Sequence, residues 1–395
     1  MRRWIFFALF LTGCTGPKDT CGQDFLVLWP SAQGPYEYQS LNLSTLKSPY
    51  ELKGEAAEIY FESELTDSNG YIGSVARPHM TRSSGVCVPT DVGSSLAISA
   101  YAQMEKIYQF DRTLGVDQQI PWPRKIGVQV NLIGANGLVQ NNALYLSQHD
   151  VMGLVPYSQN GLPTGVNLGI VAHEHFHAHF QHQVYNRLNS VLPAEFTLEA
   201  LFHPANALKP SIEDVEKADL KSVRGINSFI LRSWNEGLAD LYGGLYTNRP
   251  DFVRESLPQL LEKTENGKDI SRNLLGPIEP MATGPEFRYE VSQRHIMGLS
   301  MVSMSYREGS LLARLLYRVG TSGSEAPSAF LSRVMNRLSA VADWVAPGFD
   351  QEILDVESII PVLLKDMPLN NGACEALKEG LSAETFERSF SSCAG

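Results

Sequence analysis

The stretch VAHEHFHAHFQHQ, residues 171–183, contains five of the nine histidines of this 395-residue chain. Within it, His173, Glu174 and His177 fit the pattern H-E-x-x-H. Residues four apart on an α-helix lie about 40° apart around its axis, so the two histidines project from one face. Two imidazoles placed in this way can bind one Zn²⁺. The stretch therefore predicts a metal-binding helix from about residue 167 to about residue 187.

Glu174 follows the first of these histidines directly. A carboxylate at this position lies beside the metal rather than on it. There it can take a proton from metal-bound water, whose pKa zinc lowers to about 7. Because the motif is short, a further ligand elsewhere in the chain is needed to support this interpretation.

The remaining histidines of the stretch form a second stripe. His175, His179 and His182 follow one another at spacings of four and three residues, on roughly the opposite face of the helix. No glutamate stands in the general-base position between them. We expect these side chains to be hydrogen-bonded or at the surface, with a second ion site as the alternative.

The further ligand is predicted in WNEGLADLYGG, residues 234–244. A zinc site with two histidines needs a third protein ligand and an open position for water, and Glu236 can supply the ligand. Asp240 follows one helical turn later, where it can accept a hydrogen bond from the outer nitrogen of a ligand imidazole. The alternative is a solvated helix face, but Trp234 and Leu238 make the surroundings apolar.

Together, VAHEHFH and NEGLADLYG resemble the gluzincin metallopeptidases, in particular thermolysin-like enzymes, which pair a V-x-H-E-x-x-H helix with an N-E-x-x-x-D helix. The resemblance implies one Zn²⁺ per chain held by His173, His177 and Glu236. It also implies that Glu174 is the catalytic base and that Asp240 orients a ligand imidazole. About sixty residues separate the second histidine from Glu236, more than in thermolysin, which favours a divergent relative.

The same resemblance implies a fold and a substrate class. The fold would be α+β, with a zincin-like catalytic domain whose small N-terminal sheet carries the active-site helix, followed by a mostly helical C-terminal half. Related aminopeptidases carry a G-x-M-E-N motif that binds the substrate amine, and none precedes His173. We therefore expect an endopeptidase that acts on peptide or protein substrates.

A peptidase also needs a donor for the oxyanion that forms when water attacks the carbonyl group. Tyr306 stands in YREGSLLARLL, which resembles the Y-x-x-G helix of aminopeptidase N-like gluzincins, whose tyrosine stabilises the transition state. Gly309 in this segment would allow a close backbone approach. His295 is the alternative donor, because thermolysin-like enzymes use a histidine downstream of the glutamate ligand. A buried structural role for Tyr306 is the other interpretation.

The N-terminus, MRRWIFFALFLTGC, has two arginines followed by an apolar core at residues 4–11 and then small residues. This is typical of a secretory signal peptide, and the core is too short to span a bilayer. The LTGC segment resembles the lipobox of bacterial lipoproteins, which implies cleavage after residues 1–13, lipidation of Cys14 and attachment to a membrane of the bacterial cell envelope. Thr15 favours the outer membrane. The alternative is a plain secreted protein.

With Cys14 lipidated, four cysteines remain, and an even number in an exported protein predicts two disulfides. Three pairings are possible, of which sequence proximity favours Cys374 with Cys393 and leaves Cys21 with Cys87. None of these cysteines has zinc-finger spacing to a histidine.

Composition limits the partners. A net charge of -11 argues against nucleic acid or an anionic membrane surface as the main partner. A non-catalytic envelope lipoprotein that binds a partner, or a protein that sequesters zinc, is the alternative function. Neither alternative requires Glu174, which favours the peptidase.

The chain divides into five predicted segments: a lipoprotein signal peptide (1–13), a tether (14–24), an N-terminal subdomain (25–90), a zincin-like metallopeptidase domain (91–345) and a C-terminal helical extension (346–395). Apolar or alternating runs predict strands that begin near residues 25, 56, 125 and 142. Glycine, serine and proline predict a long loop at residues 66–95. Amphipathic periodicity predicts a helix at residues 94–115, and further helices follow beyond the metal-binding stretch.

Overall fold

A computed structural model describes residues 21–31, 35–66, 70–131, 133–134, 137–147, 149–159, 161–188, 222–258, 264–265, 268–269, 271–296, 302–323 and 325–393. The predicted signal peptide and Cys14 lie outside these residues. Within these ranges, no helix combines the length and apolar character needed to cross a membrane.

The protein is mixed α/β, with sheets in its N-terminal part and a mostly helical C-terminal half. The strands are β1 (Asp24–Pro30), β2 (Tyr36–Asn42), β3 (Leu46–Ser48), β4 (Lys53–Gly54), β5 (Ala57–Thr66), β6 (Gly70–Val75), β7 (Met80–Ser83), β8 (Val86–Pro89), β9 (Arg124–Val128), β10 (Ile133–Gly134), β11 (Gly137–Leu138), β12 (Ala143–Leu146), β13 (Val151–Leu154), β14 (Thr264–Glu265) and β15 (Lys268–Asp269). The strands predicted to begin near residues 25, 56, 125 and 142 are confirmed as β1, β5, β9 and β12.

The first sheet has four strands in the order β2-β1-β8-β7. β1 pairs antiparallel with β2 over its whole length, and Phe25 pairs with Cys87 of β8 in parallel. The predicted loop at residues 66–95 is wrong, because β6, β7 and β8 lie there. Some of its turn-forming residues lie in hairpin connections, such as Ser84 and Gly85 with φ of 52° and 89° between β7 and β8, whereas others, such as Gly73, lie within strands.

The second sheet has seven strands in the order β12-β13-β9-β5-β4-β3, with β6 paired to β5. β5, β9 and β13 run parallel to one another, and every residue of β13 is buried. β12 pairs antiparallel with β13 and forms one end of this order. Because β5 pairs with β9, this sheet joins a strand of the predicted N-terminal subdomain (25–90) to a strand of the predicted metallopeptidase domain (91–345).

The helices are α1 (Val92–Leu114), α2 (Leu168–Phe180), α3 (Val223–Thr247), α4 (Phe252–Ser256), α5 (Gly284–Ile296), α6 (Val302–Thr321), α7 (Pro327–Asn336), α8 (Leu338–Val345), α9 (Ile359–Leu363), α10 (Asn371–Gly380) and α11 (Ala383–Ser389). The helix predicted at residues 94–115 is confirmed as α1. Asp91 caps its N-terminus by accepting from the Ser94 amide, and Gly115 ends it with φ of 72°.

α2 confirms the helix predicted from the histidine stretch. The Asn167 side chain accepts from the amides of Gly169 and Ile170 and so caps its N-terminus. The side-chain amide nitrogen of Asn167 donates to Phe252 O at 2.8 Å, and this bond connects the start of α2 to α4. Beyond Phe180 the helix continues through a π-helical turn at Gln181–Tyr185 and a last turn at Asn186–Leu188.

α3 contacts both α2 and α6, and glycines at these contacts permit the close approach. A Cβ atom on Gly243 would lie 2.7 Å from Gly169 O of α2. A Cβ atom on Gly309 of α6 would lie 2.7 Å from Ser233 O of α3, and Gly237 would overlap the Gly309 backbone in the same way. The close backbone approach predicted at Gly309 is therefore confirmed.

Both cysteine pairs favoured by the sequence lie at disulfide distance. The Cα atoms of Cys21 and Cys87 are 5.5 Å apart, and those of Cys374 and Cys393 are 5.3 Å apart. The first pair joins the segment before β1 to β8, and the second joins α10 to the turn at Ser391–Cys393.

Candidate metal centre

The contact between α2 and α3 brings the three predicted metal ligands together. His173 Nε2 lies 3.1 Å from His177 Nε2 and 3.4 Å from Glu236 Oε2, and the His177 and Glu236 atoms are 3.9 Å apart. His173 and Glu236 are buried, and the His177 side chain is 11% exposed. The sixty-residue separation in sequence is closed by the packing of the two helices.

Hydrogen bonds at the outer nitrogens fix both histidine rings. His173 Nδ1 lies 2.9 Å from Asp240 Oδ1, and His177 Nδ1 lies 2.9 Å from Asn235 Oδ1. We assign the ring proton to Nδ1 in both cases, because each faces an oxygen that can only accept. In these tautomers each Nε2 carries a lone pair directed at the other ring. The outer partners are those that orient histidine ligands in metal sites.

In these tautomers the three inner atoms are all acceptors, and Arg272 Nη2, 3.2 Å from His173 Nε2, is a donor that reaches the group from the side of the His173 ring. Glu236 Oε2 is buried and has no hydrogen-bond partner among the described residues. Tetrahedral ligands bound at about 2.0–2.1 Å lie about 3.3 Å from one another, close to the spacings found here. The group could hold a metal ion, and its unpartnered oxygen fits one.

The raised pKa of His173 also indicates that the surrounding carboxylates stabilise a positive charge at this group. Burial and Arg272 lower this pKa, but Asp240 and Glu236 outweigh them and raise it to about 9. In contrast, burial and the neighbouring His173 lower the pKa of His177 to about 4. The Asp240 and Glu236 carboxylates thus stabilise one positive charge, but not two, on the neighbouring rings of His173 and His177.

Glu174 lies beside the three ligand atoms. Its Oε2 is 3.9 Å from His177 Nε2, and its side chain is 9% exposed. Burial raises the pKa of Glu174 to about 7, and the Glu236 carboxylate also acts in this direction against the effect of His173. A carboxylate with a pKa near neutrality is suited to exchange protons at neutral pH.

Arg272 belongs to the site, although no sequence pattern indicated it. Its Nε donates to Asp240 Oδ2 at 2.9 Å, and its Nη2 makes a short contact with Asp240 Oδ1. The same Nη2 lies 3.0 Å from His173 Nδ1 and 3.2 Å from Nε2, against the ring. Arg272 therefore balances the charge of Asp240 and packs on the ligand that Asp240 holds. Asn235 also has a role here that its position in the motif did not reveal.

Tyr306 on α6 lies beside the ligands. Its ring is flanked by the guanidinium groups of Arg232 and Arg272, whose Cζ atoms lie 5.8 Å and 5.2 Å from the ring centroid. Glu236 and burial raise the pKa of Tyr306 to about 12, so its hydroxyl group keeps its proton. His295, the alternative oxyanion donor, lies on α5, and its side chain is outside what the structure describes.

A small cavity adjoins Glu174 and His173. Apolar side chains of α2 and α4 line it, together with Asn142 and Ala143 at the start of β12. The cavity therefore connects the candidate base with one end of the seven-stranded sheet.

Two members of the second histidine stripe, His175 and His179, are hydrogen-bonded. His175 Nε2 and His179 Nε2 each lie 2.8 Å from Asp111 Oδ2, and all three side chains are fully buried. Burial lowers the pKa of His175 to about 4, so this ring is neutral at pH 7. His182 Nε2 lies 3.6 Å from Asp150 Oδ2. Asp111, His175 and His179 also form a group that could hold a metal ion.

No profile of a known protein family matches the chain, and no curated protein is significantly similar to it in sequence. The candidate ligand set therefore rests on the sequence motifs of this chain and on the geometry of the group that could hold a metal ion.

Proposed function

We propose that the protein is a zinc-dependent peptidase of the gluzincin type, with a zincin-like catalytic domain. The observation that carries this proposal is the convergence of His173 Nε2, His177 Nε2 and the unpartnered Glu236 Oε2, with Glu174 alongside. Two imidazoles and one carboxylate are the ligands of catalytic zinc in hydrolases that keep a further position open. A bound zinc ion would supply positive charge that polarises a carbonyl group and acidifies water.

Glu174 and Tyr306 supply the remaining chemistry. Glu174, with its pKa raised to about 7, accepts the proton of the attacking water and returns it to the leaving amine. Tyr306 remains a neutral donor and can hydrogen-bond the oxygen on which negative charge develops. The flanking Arg232 and Arg272 groups favour that charge. His295 remains the alternative donor.

The position of β12 supports a peptide substrate. This strand forms one end of the seven-stranded order, and its first residues adjoin the cavity beside Glu174. An extended peptide can pair with a strand edge through its backbone and so present a carbonyl group to the site. Backbone pairing requires no free terminus, in accord with the endopeptidase expected from the sequence.

The proposed setting is the bacterial cell envelope. The mature chain would begin at a lipidated Cys14 and would be anchored in a membrane, the outer membrane being favoured by Thr15. The two cysteine pairs at disulfide distance support an oxidising compartment.

The central experiment uses residues 15–395, bound-zinc analysis and a quenched-fluorescence peptide library. We expect one zinc per chain and cleavage by the wild type. Glu174→Gln should keep the zinc and lower kcat/KM at least about 100-fold, because it removes the proton acceptor but no ligand. His182→Ala, on the other stripe of the histidine stretch, is the matched control and should keep both properties.

Two results would redirect the proposal. Zinc binding by a wild type that cleaves nothing would favour the non-catalytic envelope lipoprotein. If His175→Ala abolishes zinc binding while His173→Ala and His177→Ala preserve it, the ligand assignment is wrong.

A further inference from the structure

The carboxylate of Asp111, on α1, joins the two helices that supply the ligands. Its Oδ2 accepts from His175 Nε2 and His179 Nε2 of α2, each at 2.8 Å. Its Oδ1 accepts from the Tyr242 hydroxyl group of α3 at 2.6 Å. The four side chains are buried, so these bonds are made without competition from water.

This carboxylate lies on the other side of the helix pair from the metal ligands. His175 follows His173 by two residues, and Tyr242 follows Asp240 by two residues. Two residues correspond to about 200° around a helix axis, so each pair leaves its helix in opposite directions. α2 and α3 thus face the metal centre with one side and share Asp111 on the other.

A hydrogen-bonded network describes the Asp111 group better than a metal site. The 2.8 Å separations between nitrogen and oxygen are normal for hydrogen bonds and shorter than the about 3.3 Å expected between tetrahedral zinc ligands. Metal binding at Nε2 would also move each ring proton to Nδ1. Neither His175 Nδ1 nor His179 Nδ1 has a hydrogen-bond partner among the described residues, so a buried donor would be left without an acceptor.

We propose that Asp111 is a positioning residue for the metal centre. Asp111 holds α2 and α3 together on the side away from the ligands, and so fixes the position of His173 and His177 relative to Glu236. Binding sites need their ligands within about 0.5 Å of the productive geometry, and a shared buried anion with three donors gives that constraint. The inference rests on the proposed zinc site.

The chain supplies a matched control on the same helix. Glu105 of α1 is also fully buried and accepts five hydrogen bonds, four from the amide and hydroxyl groups of Ser44 and Thr45 and one from the Gln109 side chain of the same helix. It ties α1 to the loop before β3 and makes no hydrogen bond to α2 or α3 among the described residues. Glu105→Gln therefore damages a comparable buried carboxylate without touching the ligand helices.

The experiment measures zinc affinity by chelator competition, the absorption spectrum of the cobalt-substituted protein, and the melting temperature of each metal-free variant. Asp111→Asn should weaken zinc binding about tenfold or more and change the cobalt spectrum, because α2 and α3 lose the shared anion that holds their ligand side chains in register. Glu105→Gln should lower the melting temperature and leave both metal readouts unchanged. Tyr242→Phe removes only the bond between Asp111 and α3, and it should weaken zinc binding less than Asp111→Asn. If Asp111→Asn does not fold, the zinc affinity of Tyr242→Phe tests the positioning role instead.

The outcomes separate this inference from the proposed function. A wild type that binds no zinc would refute both. A wild type with one tight zinc whose affinity is unchanged in Asp111→Asn, or in a folded Tyr242→Phe when the first variant does not fold, would overturn the positioning role alone. Two zinc ions per chain, with one lost in Asp111→Asn, would also overturn it, because Asp111 would then be a ligand.

Discussion

The two histidines proposed as metal ligands differ in the group that holds their outer nitrogen. His173 donates to the Asp240 carboxylate, which is itself paired with Arg272, whereas His177 donates to the neutral amide oxygen of Asn235. A carboxylate both orients a ring and raises its basicity, while an amide oxygen mainly orients it. Asn235 is therefore expected to act on the metal through the direction of the His177 ring.

Asn235→Ala removes this acceptor and leaves His177 free to rotate or to change tautomer. We expect zinc affinity to fall about 10- to 100-fold, with Asn235→Asp restoring most of it, as measured by chelator competition. Asn227→Ala is the control, since this asparagine of the same helix bonds the backbone at Phe349 and Glu352, away from the site. It should reduce stability without reducing zinc affinity. Equal loss of affinity in both alanine variants would contradict the orienting role.

Residue spacing predicts which side chains lie together within one helical turn, but it does not predict contacts between residues that are distant in the sequence. His173, Glu174 and His177 follow from one local motif, and Glu236 and Asp240 follow from a second. Arg272 contacts Asp240 across 32 residues, and Asp111 contacts His175 across 64, from stretches with no motif of their own. Contacts of this kind depend on how distant elements pack against one another, and no motif in a single sequence indicates that packing.

Among the secondary-structure elements, the long helices and the strands β1, β5, β9 and β12 could be predicted, whereas β6 to β8 could not. In α1, α3 and α6 the apolar residues recur at helical spacing over several turns, which gives a clear sequence pattern. α2 is buried on nearly all sides and could be predicted only from its histidine motif. β6 to β8 are short strands among turn residues, and their pairing with distant strands decides their structure. A close backbone approach at Gly309 could also be predicted, because glycine allows such contact, but only the structure shows that its partner is α3.

Gly309→Ala tests whether that approach positions the ligands. The added Cβ would lie 2.7 Å from Ser233 O and 3.3 Å from Glu236 Cβ, so α6 must move away from α3. We expect a loss of about 1–3 kcal/mol in the free energy of unfolding, with weaker zinc binding and slower cleavage as Tyr306 shifts. Denaturant unfolding and chelator competition measure these effects. Gly348→Ala, whose Cβ would meet nothing within 4 Å, should change neither, and the prediction fails if the two variants behave alike.

At the scale of the whole molecule, covalent and metal constraints act on different parts of the chain. The Cys21–Cys87 pair holds the four-stranded sheet, and the Cys374–Cys393 pair holds the last helices. Neither pair contains a residue of the proposed metal centre, whose candidate ligands lie on α2 and α3. Stability of the two ends and affinity for zinc should therefore be separable.

The double variants Cys21→Ala/Cys87→Ala and Cys374→Ala/Cys393→Ala test this separation. The pairs span 66 and 19 residues, for which loop-closure entropy predicts losses of about 4 and about 3 kcal/mol in the free energy of unfolding. Denaturant unfolding of the zinc-free proteins measures these losses, and chelator competition on the folded variants should give the wild-type zinc affinity. A large fall in affinity in either variant would show instead that the ends of the molecule hold the ligand helices in place.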